Sequence, residues 1–429
     1  MTSFTLSKVT NLWQNAGFQR YFQNTGWLFT SRIITLGLSF VTTIFIARNL
    51  GPTNFGQLSY AVSFISIFSF IATLGIDTVL YRNLLKAPEQ EKEILGTGLF
   101  IKISAGFIAA CITIGVSSFF VKDVSTILII ILSGTFICNA FQLVNYGFQA
   151  RSLSKYPALI TLGVTIILNI FKVLAIYFGL GVIYLALILL LESALYAVLY
   201  IYFLNKKLGI HFLHLTFNPT TAKELLYDSW PLIFSSAFAL IYARIDQIFI
   251  KHMIDAQAVG IYDAAVKVAE VWYFIPGIIV TSLFPALINA KKTSELLYIS
   301  RLKKLSLFLV TTASIIAFVV TIFAQEIMNL IYGKDYSLGV PVLQIYAWSG
   351  VGMFLVTLFV NYLITENFKR VLFIISFVPM LINIVLNILW IPVYGIVGAA
   401  YATLISYSLA PLILFFFKDV RVSIFNKKT

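Results

Sequence analysis

Residues 258 to 265 read AVGIYDAA and residues 54 to 61 read NFGQLSYA, a displacement of 204 positions that lays Gly260 on Gly56 and Ala265 on Ala61. Each stretch joins one long apolar run to the next. The same displacement brings Trp27 within one residue of Trp230. Self-similarity at a fixed spacing is the mark of a repeated architecture, and this one divides the chain into residues 1–212 and 213–429.

The composition says what is repeated. Of 429 residues, 60% are hydrophobic and 11% charged, and the mean hydropathy is +0.94, far from a soluble domain. At about 20 residues per crossing, about twelve spans fit, starting near Trp27, Gly56, Leu95, Val124, Tyr156, Val182, Leu226, Gly260, Lys303, Val340, Val371 and Ile396. Breaks fall at NLGPTNFG (49 to 56), FGLG (178 to 181) and IPVYGIVG (391 to 398), where Gly and Pro favour a turn. The expected fold is an all-α polytopic membrane protein of about twelve transmembrane helices. They form two six-helix bundles which, six being even, point the same way as a parallel repeat.

Basic residues concentrate in alternate connectors. Arg82, Lys86, Lys92, Arg151, Lys155, Lys206, Lys207, Lys291, Lys292, Lys369 and Arg370 fall on one face, whereas the opposite connectors hold Arg48, Lys122, Lys251 and Lys334. The positive-inside rule makes the first face cytoplasmic and puts both termini there. This asymmetry accounts for the net charge of +13 with membrane lipids as neighbours and no nucleic acid as partner. Trp27, Trp230 and Trp390 sit near span ends, as interface anchors do. The first 25 residues show no signal peptide. Cys111 and Cys138 read as small core residues, and the His211/His214 pair lacks the further ligands of a zinc site. No metal and no cofactor is expected.

Inside the spans the stretch IYARIDQIFI (241 to 250) carries Arg244 and Asp246, and Arg32, Lys102, Lys172, Glu192, Lys267 and Glu270 lie in other spans. At roughly 3 kcal/mol each, these eight would cost on the order of 24 kcal/mol if they faced lipid at mid-depth, so they face protein, water or one another. Asp263, Lys267 and Glu270 recur at i, i+4 and i+7, a polar stripe along one helix. Arg244 and Asp246 are two apart, about 200° around a helix, so each needs a partner elsewhere. The plainer readings stand beside this one. Lys102, two turns into its span, reads first as snorkelling to the interface, and Arg32 reads equally as snorkelling or as a ligand. Lys267 and Glu270 can pair within their helix, Arg48 at the outer mouth reads first as an anchor, and Glu192, Arg244 and Asp246 could be helix glue. With more positive than negative charge, the expected cavity is cationic and suits an anionic group such as phosphate.

The segments SRIITLGLSFVTTIFIARNLGPTNFGQLSYA (31 to 61), LGID (74 to 77), RIDQIFI (244 to 250) and VGIYDAAVKVAEVWYFIP (259 to 276) carry a resemblance. They resemble the Wzx-type O-antigen and polysaccharide flippases of the multidrug/oligosaccharidyl-lipid/polysaccharide (MOP) exporter superfamily. The resemblance implies a protein of the bacterial cytoplasmic (inner) membrane that moves an undecaprenyl-diphosphate-linked oligosaccharide from inner to outer leaflet. It also implies alternating access, ion coupling, and polysaccharide polymerase and glycosyltransferases as candidate partners. Arg32, Arg48, Arg244 and Asp246 fall in the matching segments. The expected substrate-binding residues are Arg32, Arg48, Lys172, Arg244 and Lys267, and the ion-coupling candidates are Glu192, Asp246 and Glu270, with Lys172 and Glu192 resting on depth alone. No catalysis is expected, since no acidic pair, histidine cluster or large outer loop suggests it. Three rivals remain: a cation-coupled multidrug exporter of the same superfamily, which should favour an acid-rich cavity, a polysaccharide-assembly enzyme, and a passive scaffold.

Overall fold

The computed structural model describes residues 16–421. Among them there is no strand. The helices are α1 (Ala16–Thr73), α2 (Ile76–Lys86), α3 (Glu91–Phe120), α4 (Val124–Ser133), α5 (Thr135–Asn139), α6 (Val144–Ala150), α7 (Lys155–Tyr177), α8 (Val182–Leu208), α9 (Pro219–Met253), α10 (Ala256–Glu270), α11 (Phe274–Thr293), α12 (Glu295–Ile322), α13 (Ala324–Ile331), α14 (Val340–Tyr346), α15 (Ser349–Thr365), α16 (Lys369–Tyr394), α17 (Ile396–Leu412) and α18 (Lys418–Arg421), with short 3-10 turns between several of them. Hydrocarbon offers no hydrogen bonds, so a chain this apolar must satisfy its backbone internally, and helices do so.

Nine helical segments among the described residues are long and apolar enough to cross a membrane, and a tenth crossing is the pair Lys334–Tyr346 and Ser349–Thr365, bent by 47°. The first segment, Gly26–Lys86, has 61 residues, about 90 Å of helix against a hydrocarbon core of about 30 Å. It is broken at Gly51, whose φ of 73° lies in the left-handed region that glycine tolerates, with Pro52 directly after. That segment therefore holds two crossings. α9, 35 residues long, is not among those nine, so ten or eleven crossings are counted on length and composition where a dozen were expected. The break expected near residue 395 is likewise present, Gly395 having φ 60° between α16 and α17. The termini, residues 1–15 and 422–429, to which the cytoplasmic assignment refers, lie outside the described residues.

The chain forms two compact units. Among the described residues, one comprises 16–46 together with Phe68–Ile233, and the other Ala47–Ile67 together with 234–421. The first has a core of Ile76, Leu80, Leu95, Leu143, Phe148 and Leu204, among others. The second is centred on Leu287, Leu302, Leu309, Phe354, Leu358 and Tyr362. Large apolar side chains also point outward, Phe119 being 82% and Phe416 86% exposed, while Asn383 and Asn387 are wholly buried. Apolar outside with polar groups inside is the arrangement a lipid solvent selects. Cys111, expected in the core, is on the exposed side, which costs nothing where the solvent is itself apolar.

Residues 47–67 join the second unit through contact between the two copies of the repeat. Asp255 caps α10 by accepting from the Ala258 amide at 2.7 Å. Four residues beyond Ala256, Gly260 meets Gly56. A Cβ on Gly56 would lie 1.7 Å from the Ala256 carbonyl oxygen, and one on Gly260 would lie 2.0 Å from the Pro52 carbonyl oxygen. Position 56 thus meets the equivalent of position 52, and the reverse, which is the reciprocity of a two-fold contact. Three residues on, Ser59 Oγ donates to Asp263 Oδ2 at 2.6 Å, again across 204 positions.

Candidate substrate and ion-coupling site

The polar side chains of the second unit gather where α9, α10, α14, α16 and α17 pack together with residues 47–67. Asp246, 4% exposed, accepts hydrogen bonds from Tyr262 Oη at 2.6 Å, Asn387 Nδ2 at 2.6 Å and Thr403 Oγ1. Asn387 is held in turn by the Asn383 carbonyl oxygen at 2.9 Å, one helical turn away on α16. All three donors to Asp246 are neutral, and among the described residues no cation forms an ion pair with it. A carboxylate so placed is oriented by its donors without being neutralised. Its oxygens, with the amide and hydroxyl oxygens beside them, are the hard donors that a proton or a small monovalent cation takes.

Arg244, two residues earlier, turns to a different partner. Its Nη2 is 3.7 Å from Glu270 Oε2, the side chains being 28% and 22% exposed, and Glu270 also accepts from Tyr346 Oη at 3.0 Å. A separation of 3.7 Å exceeds the roughly 2.8 Å of a charge-assisted hydrogen bond. Guanidinium donors are therefore left for another acceptor. The rings of Tyr242 and Tyr407 approach to 4.3 Å between centroids, and Tyr273 lies edge-on to Tyr407 at 6.5 Å.

Asp263, 2% exposed, binds Ser59 as above and accepts from Gln247 Nε2 at 2.9 Å. Gln247 Oε1 accepts from Ser63 Oγ. Lys267 Nζ is 3.5 Å from Asp263 Oδ2, one turn back on α10. The expected Lys267–Glu270 pairing is thereby corrected: Lys267 pairs at i−4, because α10 gives way to a 3-10 turn after Glu270 and Glu270 serves Arg244 and Tyr346 instead.

In the first unit Lys172 Nζ and Glu192 Oε2 are 2.7 Å apart, with side chains 13% and 21% exposed, and tie α7 to α8. The expected snorkelling of Lys102 is also corrected. Its side chain is 6% exposed and its Nζ is 2.7 Å from Asp77 Oδ1, a carboxylate in the first turn of α2. Arg32 is exposed and forms no hydrogen bond or ion pair with the described residues. Arg48 is exposed and donates to the Leu330 carbonyl oxygen at 3.5 Å. Trp27 stacks under Lys155, 5.6 Å from ring centroid to Nζ.

Arg244, Asp246, Lys267 and Glu270 thus share one unit with Arg48, whereas Arg32, Lys172 and Glu192 belong to the other. The residues missed by sequence reading are the neutral ones: Tyr262, Asn383, Asn387, Thr403, Gln247 and Ser59. Two signals were present. Asn383 and Asn387 lie at i, i+4 in an apolar span, and Ser59, Ser63 and Ser66 repeat the spacing of Asp263, Lys267 and Glu270.

The fold is that of a polytopic all-helical membrane protein, and comparison with known proteins gives the family. The family model described as "Polysaccharide biosynthesis protein" matches residues 21–291, more than half of the chain, and the MatE model matches residues 231–389. The chain belongs to the polysaccharide biosynthesis protein family. It is 24% identical over 401 residues to the capsular polysaccharide biosynthesis protein CapF of Staphylococcus aureus, covering 92% of this chain and 98% of that one. It is 22% identical to the probable flippase AglR of Haloferax volcanii, covering 87% and 78%. Among solved structures, the lipid II flippase MurJ in an inward closed conformation shares the fold with a TM-score of 0.67 at 17% identity, covering 94% of this chain and 90% of that one.

Proposed function

We infer that this protein moves a lipid-linked oligosaccharide, carried on undecaprenyl diphosphate, from the inner to the outer leaflet of the bacterial cytoplasmic membrane for surface polysaccharide assembly. The observation that carries this reading is the second unit's polar interior, in which Asp246 is buried among neutral donors beside a guanidinium with donors to spare. Helix glue alone would pair opposite charges; Asp246 has no such pair among the described residues, and Arg244, 3.7 Å from Glu270, keeps guanidinium donors for a further anion. In this reading Arg244 binds the diphosphate, Lys267, Arg32, Lys172 and Arg48 assist, and binding of a proton or sodium ion at Asp246 drives alternating access. Glu270 sets the orientation of Arg244, and Glu192 is the coupling candidate of the first unit. The names of the capsular polysaccharide and flippase relatives support the cargo class.

The test is transfer of a fluorescent undecaprenyl-diphosphate oligosaccharide across liposomes containing the purified protein. Transport is expected in the wild type and is expected to fall at least tenfold in Arg244→Ala, the loss of one charge-assisted contact to phosphate. Wild-type liposomes that move cationic drugs but no lipid-linked glycan would instead establish the multidrug-exporter reading.

A further inference from the structure

Arg244 and Glu270 carry opposite charges within the second unit and yet stop short of one another. Arg244 Nη2 and Glu270 Oε2 are 3.7 Å apart, where a charge-assisted hydrogen bond closes to roughly 2.8 Å. Coulomb attraction grows as the surroundings lose polarity, and rotation about the glutamate side-chain torsions could cover the missing distance of about 0.9 Å. Left to itself the pair would shut, most stably as the fork in which both carboxylate oxygens accept from one guanidinium. Something holds it ajar.

The restraint acts on the other carboxylate oxygen. Glu270 Oε1 accepts from Tyr346 Oη at 3.0 Å, and Tyr346 is itself anchored. It is the last residue of α14 and is buried. Its carbonyl oxygen accepts from Ser349 Oγ at 2.6 Å, and that hydroxyl lies 2.8 Å from Tyr273 Oη. The Tyr346 ring stands edge-on to that of Tyr262, with centroids 6.3 Å apart, and Tyr262, also buried, is tied through its own hydroxyl to Asp246. A tyrosine fixed at both backbone and ring in a close-packed interior does not follow a moving carboxylate. Glu270 has less support, since it ends α10 where the chain passes into a 3-10 turn. Its carboxylate position is therefore set by the Tyr346 hydroxyl.

We propose that Tyr346 is a positioning residue for the anionic head of the cargo: its hydroxyl holds Glu270 off Arg244 and so keeps guanidinium donors available to phosphate oxygens. The proposal rests on the flippase reading for the identity of the anion, and the two fail differently. Tyr346→Phe removes the hydroxyl and keeps the ring. Two quantities are measured on the purified full-length protein in liposomes. One is the rate at which phenylglyoxal, an arginine reagent, modifies Arg244, followed by mass spectrometry of its peptide. The other is the Kd for the fluorescent undecaprenyl-diphosphate oligosaccharide. Tyr346→Phe is expected to slow modification and to weaken binding, each about tenfold, the weight of one hydrogen bond to a charged group. Adding Glu270→Gln, whose amide has one acceptor oxygen and no charge with which to close the fork, is expected to restore both. A purely structural loss at Tyr346 would not be cured by that second change. Tyr346→Phe equal to wild type in both measurements overturns the proposal, as does a loss that Glu270→Gln leaves uncorrected, or an Arg244 that already resists the reagent in the wild type. If modification follows the expected pattern while wild type binds no diphosphate oligosaccharide, Tyr346 still holds Arg244 open and it is the flippase reading that fails.

Discussion

Gly260→Ala and Gly56→Ala perturb the contact between the two copies of the repeat, and the structure sets the size of the effect. The added methyl at 260 would lie 2.0 Å from the Pro52 carbonyl oxygen, where ordinary contact begins at 3.4 Å, so the helices must part by about 1.4 Å. A shift of that size would stretch the 2.6 Å bond from Ser59 to Asp263 to about 4 Å, beyond hydrogen-bonding distance. Overpacking costs about 1–3 kcal/mol, and loss of a partner by a buried carboxylate costs about 1–3 kcal/mol. The better helix propensity of alanine returns about 1 kcal/mol. Each substitution should therefore destabilise by roughly 1–5 kcal/mol in equilibrium unfolding in mixed micelles. Gly37→Ala, whose Cβ would meet nothing within 4 Å, is the control and should be neutral or slightly stabilising. Once the helices have parted for one methyl they have made room for the other, so the double variant should cost less than the sum by about 0.5–3 kcal/mol. A Gly260→Ala protein as stable as Gly37→Ala, or strictly additive costs, would refute the close crossing.

Three further outcomes are expected. Asp246→Asn should retain exchange of cargo at equilibrium while losing acceleration by an imposed cation or proton gradient, measured in the same liposomes with and without the gradient. Lys172→Met leaves the Glu192 carboxylate, 21% exposed, without its cation, and should destabilise by roughly 1–3 kcal/mol, below the roughly 3–5 kcal/mol of breaking a fully buried pair. The double change Lys172→Met with Glu192→Leu should recover most of that loss in the same unfolding assay. Lys102→Ala should destabilise through the stranded carboxylate of Asp77, and adding Asp77→Asn should restore stability; no rescue would mean that the pair contributes nothing beyond the packing of the lysine stem.

What could be read from the sequence, and what could not, follows from how strongly each feature is priced in hydrocarbon. Spans and breaks were legible because an apolar run and a Gly-Pro interruption have few alternative meanings at membrane depth; Gly51 and Gly395 mark their breaks as the residues suggested. Buried ions were legible as conspicuous, but their partners were not. Lys102 was assigned to the interface because Asp77, 25 positions earlier, sits at a helix start that only tertiary packing brings near. Lys267 is the near neighbour with which Glu270 can pair within its helix, whereas the fold delivers Arg244 from α9. The neutral donors around Asp246 stayed invisible for a different reason: Asn, Thr and Tyr are tolerated in many spans, so Asn387 and Thr403 carry weight only once geometry aims them at one carboxylate. Membership of residues 47–67 in the second unit was hidden too, since chain order places them in the first half.

The pairing of Ser59 with Asp263 has an evolutionary implication. Had the two halves been separate identical chains meeting about a symmetry axis, each position near that axis would have faced a copy of itself. Aspartate would then have opposed aspartate, two like charges at 2 to 3 Å with no relief in an apolar surround, or serine would have opposed serine with no acid to receive Lys267. Fusion of a duplicated gene removes that restriction. A single polypeptide is free to place the hydroxyl on one side and the carboxylate on the other, so a difference between the halves becomes encodable at the very spot where a homodimer is obliged to remain even-handed.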